Sequence, residues 1–195
     1  MARIPLAHGA WLDHDPAWLS PDEADRALAA LRDELHWEQR EIVIFGRRVL
    51  QPRQIAWAGD LGYRYSGQTI EPRPFTPSAR ALLERVRRVA GVPFNHVLVN
   101  RYRSGQDSMG LHADDEPELG PDPVVAIVSL GVTRKLLVRP RKKSDVARHD
   151  LELGHGALLV MGGSCQRYYL HGIPRQTGVP GERISLTFRL LLRAS

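Results

Sequence analysis

NRYRSGQDSMGLHAD, residues 100–114, sets two polar residues two apart at its head, Asn100 and Tyr102, and two more at its tail, His112 and Asp114. On extended backbone, residues i and i+2 point to one face, so each pair can serve a single site. Gly105 and Gly110 bracket the loop between them and let the chain turn back toward His112. A His-x-Asp pair on its own recurs by chance in a chain with eight histidines. The competing reading is a turn histidine beside solvated acids, Asp114, Asp115 and Glu116, and a third ligand is what decides between the two.

Two imidazoles and one carboxylate on one face of a non-haem iron leave positions open for a bidentate co-substrate and for dioxygen. His171 is the best-placed third candidate. It ends the run Tyr168, Tyr169, Leu170 and precedes Gly172 and Pro174, where a strand enters a turn. His155 is the rival, but Gly154 and Gly156 on either side make it a turn residue, and His96 and His149 read as core or surface. The stretch RISLTFR, Arg183 to Arg189, adds an independent signal: Arg183, Ser185, Thr187 and Arg189 alternate with apolar residues in a period of two. Two arginines on one strand face suit a dicarboxylate held by forked, charge-assisted hydrogen bonds, and a solvated edge strand is the alternative.

Asn-x-Tyr at Asn100 and Tyr102, His-x-Asp at His112 and Asp114, the distant His171, and Arg-x5-Arg at Arg183 and Arg189 resemble, in order, the signature of the AlkB family of iron(II)- and 2-oxoglutarate-dependent dioxygenases. The resemblance runs from about Phe45 to Leu190. It implies that His112, Asp114 and His171 bind iron(II), that Asn100, Tyr102 and Arg183 hold 2-oxoglutarate with Arg183 on its distal carboxylate, and that Thr187 and Arg189 line the same pocket. It also implies oxidative removal of methyl groups from N1-methyladenine and N3-methylcytosine in single- or double-stranded DNA. Exocyclic etheno adducts would be further substrates. Dioxygen would be consumed and succinate, carbon dioxide and formaldehyde released, a DNA-repair reaction.

Length and charge agree with that reading. A chain of 195 residues, 43% hydrophobic, can bury one proper core, and a formal charge of +5 suits a polyanionic partner. The single cysteine, Cys165, excludes an internal disulfide framework and a four-cysteine zinc site. No apolar run approaches the roughly 18 residues that a membrane span needs. With no signal-peptide pattern at the start, a cytoplasmic monomer without membrane contact is expected.

Along the chain, residues 1–19 show no periodicity and are expected to wrap the outside of the core. Ser20, Pro21 and Glu23 read as N-cap, first turn and capping-box acid of a helix reaching Leu35. The run Ile42 to Phe45, then Gly46 and Arg47, reads as strand, tight turn and return strand. Phe45 is either a core residue or, by similarity to duplex-repair relatives, a wedge that enters the base stack. Residues 59–75 read as mostly loop, in which the resemblance makes Tyr65 a platform for an extruded base and sets Tyr63 near it. Thr76 and Pro77 open a second helix that stops at Gly91. Asp115 and Glu116 are candidates to meet the base's amino edge.

Val124 to Leu130 reads as a buried strand. Residues 134–148 read as a basic hairpin loop that is either solvated or, through Arg141, Lys142 and Lys143, meets phosphates, contacts that position nucleic acid without reading its sequence. Helices followed by many short strands suggest an α+β domain with a sandwich core, and the resemblance narrows this to a double-stranded β-helix, or jelly roll. One domain is expected over 1–195, with 1–90 as N-terminal extension and nucleotide-recognition region and 91–195 as catalytic core. Two other functions remain in view: the same iron chemistry on RNA, a protein side chain or a small molecule, and a non-catalytic nucleic-acid binder.

Overall fold

The computed structural model describes residues 1–44, 46–65, 68–142 and 146–192. In chain order, its elements are β1 (Ala2–Pro5), β2 (Trp11–Asp15), α1 (Pro21–Glu34), β3 (Glu41–Ile44), β4 (Arg47–Leu50), β5 (Gln54–Gly59), β6 (Tyr63–Tyr65), β7 (Gln68–Ile70), α2 (Pro77–Ala90), β8 (His96–Tyr102), β9 (Met109–His112), β10 (Val125–Gly131), β11 (Arg134–Pro140), β12 (His149–Leu153), β13 (Ala157–Gly162), α3 (Cys165–Tyr168), β14 (Tyr169–Ile173) and β15 (Arg183–Arg189). Among the described residues, a seven-stranded antiparallel sheet runs β1-β2-β13-β10-β15-β8-β5 and faces a four-stranded sheet, β12-β11-β14-β9. Helices α1 and α2 pack on the outer face of the large sheet. This is the jelly-roll sandwich with external helices.

Period two sorts the strands into two cores. On β15, Ile184, Leu186 and Phe188 turn outward to meet Leu31, Leu83 and Val86 of the helices, joined there by Val97 and Val99 of β8 and Val128 and Leu130 of β10. The alternate positions turn into the sandwich, where Tyr102, Ile127, Leu136, Val138 and Ile173 pack from both sheets. Burying a Leu or Val side chain contributes about 2 kcal/mol, so the outer cluster clamps the polar face of β15 in a fixed orientation. All seven residues of β15 are buried, between β10 and β8. The edge-strand alternative therefore fails for this stretch.

Both helices begin where the caps fall. Ser20 Oγ accepts from Glu23 N–H at 3.3 Å while Ser20 N–H donates to the Glu23 carboxylate at 3.0 Å. Thr76 Oγ1 accepts from Ala79 N–H at 3.4 Å, and α2 ends on Gly91 at φ 66°.

Three expectations need correction. Residues 1–19 do not simply wrap the core: β1 and β2 extend the large sheet, with β2 paired to β13. Their strand character comes from that ladder, which no local alternation announces. Residues 59–75 include the short hairpin β6–β7. Residues 134–140 are strand, not hairpin loop, and Arg134 is 1% exposed, its guanidinium donating to the Ser104, Asp107 and Pro174 carbonyls. The connection between β11 and β12 starts only after Pro140.

Candidate active site

Strands β9 and β14 lie side by side, and their pairing sets His112 directly opposite His171. The two imidazole centroids are 4.3 Å apart. His171 thus stands within a strand, and its position comes from a cross-strand partner and not from the turn after it. Asp114 follows two residues beyond the end of β9 and is 1% exposed. One ligand atom from each of His112, Asp114 and His171 can be chosen so that all lie within 4.8 Å of one another.

The electrostatics favour ligand protonation states. His112 Nδ1 lies 3.0 Å from the Gly110 carbonyl oxygen, so a neutral ring donating there presents its Nε2 lone pair. Burial, the largest influence, pushes His171 down to about 3, and neighbouring His112 adds to the fall. Burial also lowers His112. For Asp114 burial is again the largest influence and raises the pKa, but Arg189, His171 and His112 outweigh it and hold the carboxyl below its usual range. Arg189 Nη2 donates to Asp114 Oδ1, while Oδ2, with no hydrogen bond among the described residues, sits 3.5 Å from His171 Nε2. Two neutral imidazoles and one ionised carboxylate with an open oxygen fit a divalent ion of the iron(II) type.

The same cavity continues past the imidazoles to Asn100, Tyr102, Arg183, Ser185, Thr187 and Arg189, with Ile127, Leu136 and Ile173 as apolar wall. Arg183 is 1% exposed. Its Nε donates to Ser129 Oγ at 2.9 Å, but Nη1 and Nη2 have no hydrogen-bond partner among the described residues. Burial drives its pKa down to about 10, against a smaller opposing pull from Tyr102. A buried guanidinium with its fork open matches one carboxylate of a diacid.

The remaining candidates are less gathered. Asp115 is exposed and pairs with Arg141, which also donates to the Gln166 carbonyl at 3.0 Å. Glu116 is half-buried and its pKa is raised, first by burial, so it is not a plain solvated acid. Lys142 is exposed. Tyr63 and Tyr65 lie on β6, and Phe45 and Lys143 lie outside the described residues. His155, the rival ligand, accepts from Gly131 N–H and pairs with Asp25, away from the metal cluster. His96 is buried in β8 and His149 is half-buried in β12.

Three supporting residues carry no local sequence signal. Arg53 Nε donates to Asn100 Oδ1 at 2.6 Å and Arg134 braces the 104–107 turn. Gln166, 1% exposed on α3, accepts the Asp114 N–H at 3.0 Å through Oε1. Gln166→Leu should therefore leave a buried donor unsatisfied, at about 1–3 kcal/mol. Because Gln166 orients the segment that carries Asp114 of the candidate metal cluster, manganese(II) affinity should fall about 10–100-fold. A manganese titration followed by electron paramagnetic resonance reads this, and unchanged affinity would remove Gln166 from the site.

An antiparallel jelly roll with a His-Asp-His cluster beside an open buried arginine defines a class of metal-dependent oxygenase folds. The family model described as 2OG-Fe(II) oxygenase superfamily matches residues 12–189. Alpha-ketoglutarate-dependent dioxygenase alkB homolog 3 of Homo sapiens is 38% identical, over 89% of this chain and 64% of its own length. DNA oxidative demethylase ALKBH2 is 37% identical in Mus musculus, over 87% of this chain and 76% of that protein, and 31% identical in Arabidopsis thaliana, over 97% and 69%. The solved structure of OsALKBH1 superposes with a TM-score of 0.64 at 18% identity, covering 91% of this chain and 97% of that one, a likeness of fold. The chain belongs to the AlkB family of the 2OG-Fe(II) oxygenase superfamily. It spans a little under two thirds of the alkB homolog 3 relatives' length.

Proposed function

We propose that this protein removes alkyl groups oxidatively from nucleobases, with N1-methyladenine and N3-methylcytosine in DNA as substrates. The observation that carries the reading is one cavity lined both by His112 and His171, which cluster with Asp114, and by Arg183 with its open fork. Iron(II) held by that cluster would supply dioxygen activation coupled to oxidation of 2-oxoglutarate. Arg183 pairs the distal carboxylate of 2-oxoglutarate, and Asn100 and Tyr102 flank the co-substrate from the neighbouring strand. Arg189 keeps Asp114 ionised. Ile127, Leu136 and Ile173 give the cavity an apolar wall.

Because a methyl on N1 or N3 lies on the pairing edge, the base must leave the stack, and a lesion that already weakens pairing lowers that cost. DNA is favoured over RNA as substrate by the relatives named as DNA oxidative demethylases. Formaldehyde and succinate release from methylated single- and double-stranded oligonucleotides, with and without iron(II), tests the proposal. Succinate without formaldehyde on every methylated strand would move the substrate to another class. Phe45→Ala is expected to slow duplex repair at least tenfold more than single-strand repair, since an apolar wedge offsets an unstacking cost of a few kcal/mol that a single strand does not have. Equal losses on the two substrates would make Phe45 a core residue.

A further inference from the structure

Beside the metal site runs a second groove of about 410 Å³ whose lining no step of the proposed reaction uses. Its floor is a ring stack: His8 and Tyr168 lie with centroids 4.4 Å apart and planes at 27°. Tyr168 is 40% exposed, so part of its side chain stays open to solvent beside the His8 stack. Arg141, Lys142 and Arg167 stand around it, and among the described lining residues there is no carboxylate. Asp115 and Asp122 hold Arg141 and Arg167 from outside the groove. An aromatic floor edged by three cations fits a ligand that is planar at one end and anionic at the other.

The platform is also fixed in place. His8 adopts φ 63°, a left-handed conformation uncommon outside glycine, asparagine, aspartate and histidine. Ala7 N–H donates to Tyr169 Oη at 3.0 Å and Ser164 Oγ donates to the His8 carbonyl at 2.5 Å, anchoring the turn on both sides of the ring. Strained backbone over-determined by its surroundings marks a placed side chain. The groove adjoins the reaction centre, because Arg141 touches both Asp115, next to the ligand Asp114, and the carbonyl of Gln166.

We propose that this groove is a second nucleotide subsite, in which a base flanking the reacting one stacks on Tyr168 over His8 while its phosphate meets Lys142, Arg141 and Arg167. The inference rests on the reading that the substrate is a nucleic acid. Stacking on an aromatic face tolerates any base, so the subsite adds affinity for a strand without demanding a sequence.

The test uses the full chain without metal, an unmethylated single-stranded oligonucleotide and fluorescence anisotropy across a salt series. Tyr168→Ala is expected to weaken binding about tenfold with the salt slope unchanged, and Tyr168→Phe to bind as the parent does. Lys142→Ala is expected to lower the slope by about one. His8→Asn, which keeps the left-handed backbone and removes the ring, should weaken binding in the same sense as Tyr168→Ala. In turnover, Tyr168→Ala should raise KM for a methylated strand and leave a methylated mononucleotide unaffected. Parent-like binding by both Tyr168→Ala and His8→Asn would overturn the subsite, as would an equal loss in Tyr168→Phe. If the parent protein demethylates nothing yet loses strand affinity on Tyr168→Ala, the subsite stands and the proposed reaction falls.

Discussion

Asp114→Ala is expected to abolish turnover and to lower the Tm of the metal-free protein by roughly 6–12 °C. The first effect follows from losing the one carboxylate of the metal cluster. The second follows from Arg189: both side chains of this ion pair are 1% exposed, and removing the acid strips counter-charge from a buried guanidinium, at about 3 kcal/mol. The two roles separate in a double variant. Asp114→Leu with Arg189→Met removes both charges together, so it should recover most of the lost Tm while metal binding stays absent. Differential scanning calorimetry and a manganese titration read the two effects. Normal turnover in Asp114→Ala would reject the cluster as the reaction centre, and an unchanged Tm would mean that the Asp114–Arg189 pair contributes nothing to the fold.

That pair also marks how far sequence carries. The alternation in Arg183 to Arg189 is local, and it shows which residues share a face; the ladders to β10 and β8 then decide that this face looks inward. The caps at Ser20 and Thr76 are local too, and both helices begin where those residues predict. His171 was legible as a candidate because His155 sits between two glycines, but its alignment opposite His112 depends on a register between strands about sixty positions apart, with a bulge after it. Gln166, Arg53 and Arg134 show no pattern in sequence, since each acts by reaching a backbone or side-chain group that only the folded chain brings near. The same reason explains β1 and β2, whose strand state is conferred by pairing to β13 and not by alternation.

Arg183→Met is expected to act in the opposite sense on stability while raising the 2-oxoglutarate requirement about 100-fold or more. Two charge-assisted hydrogen bonds to one carboxylate contribute about 3 kcal/mol together, and each 1.4 kcal/mol is a factor of ten in affinity. In the ligand-free protein, however, Arg183 is a cost: burial lowers its pKa to about 10, and Nη1 and Nη2 have no hydrogen-bond partner among the described residues. A methionine of similar length removes that cost, and Ser129 Oγ, released from Arg183, still donates to the Leu153 carbonyl at 3.2 Å. Replacing a poorly compensated buried charge with an apolar side chain is worth about 1–3 kcal/mol, so the Tm of the ligand-free variant should rise by roughly 2–12 °C. With manganese(II) saturating in both proteins, 2-oxoglutarate at about a hundred times its dissociation constant for the parent should stabilise the parent by about a further 2.7 kcal/mol and the variant hardly at all. Two buried charges thus carry opposite signatures, Asp114 matched within the protein by Arg189 and Arg183 left open for the proposed diacid. A variant that is less stable than the parent, yet still shifts its Tm with 2-oxoglutarate, would show that Arg183 belongs to the scaffold and that the diacid is held elsewhere.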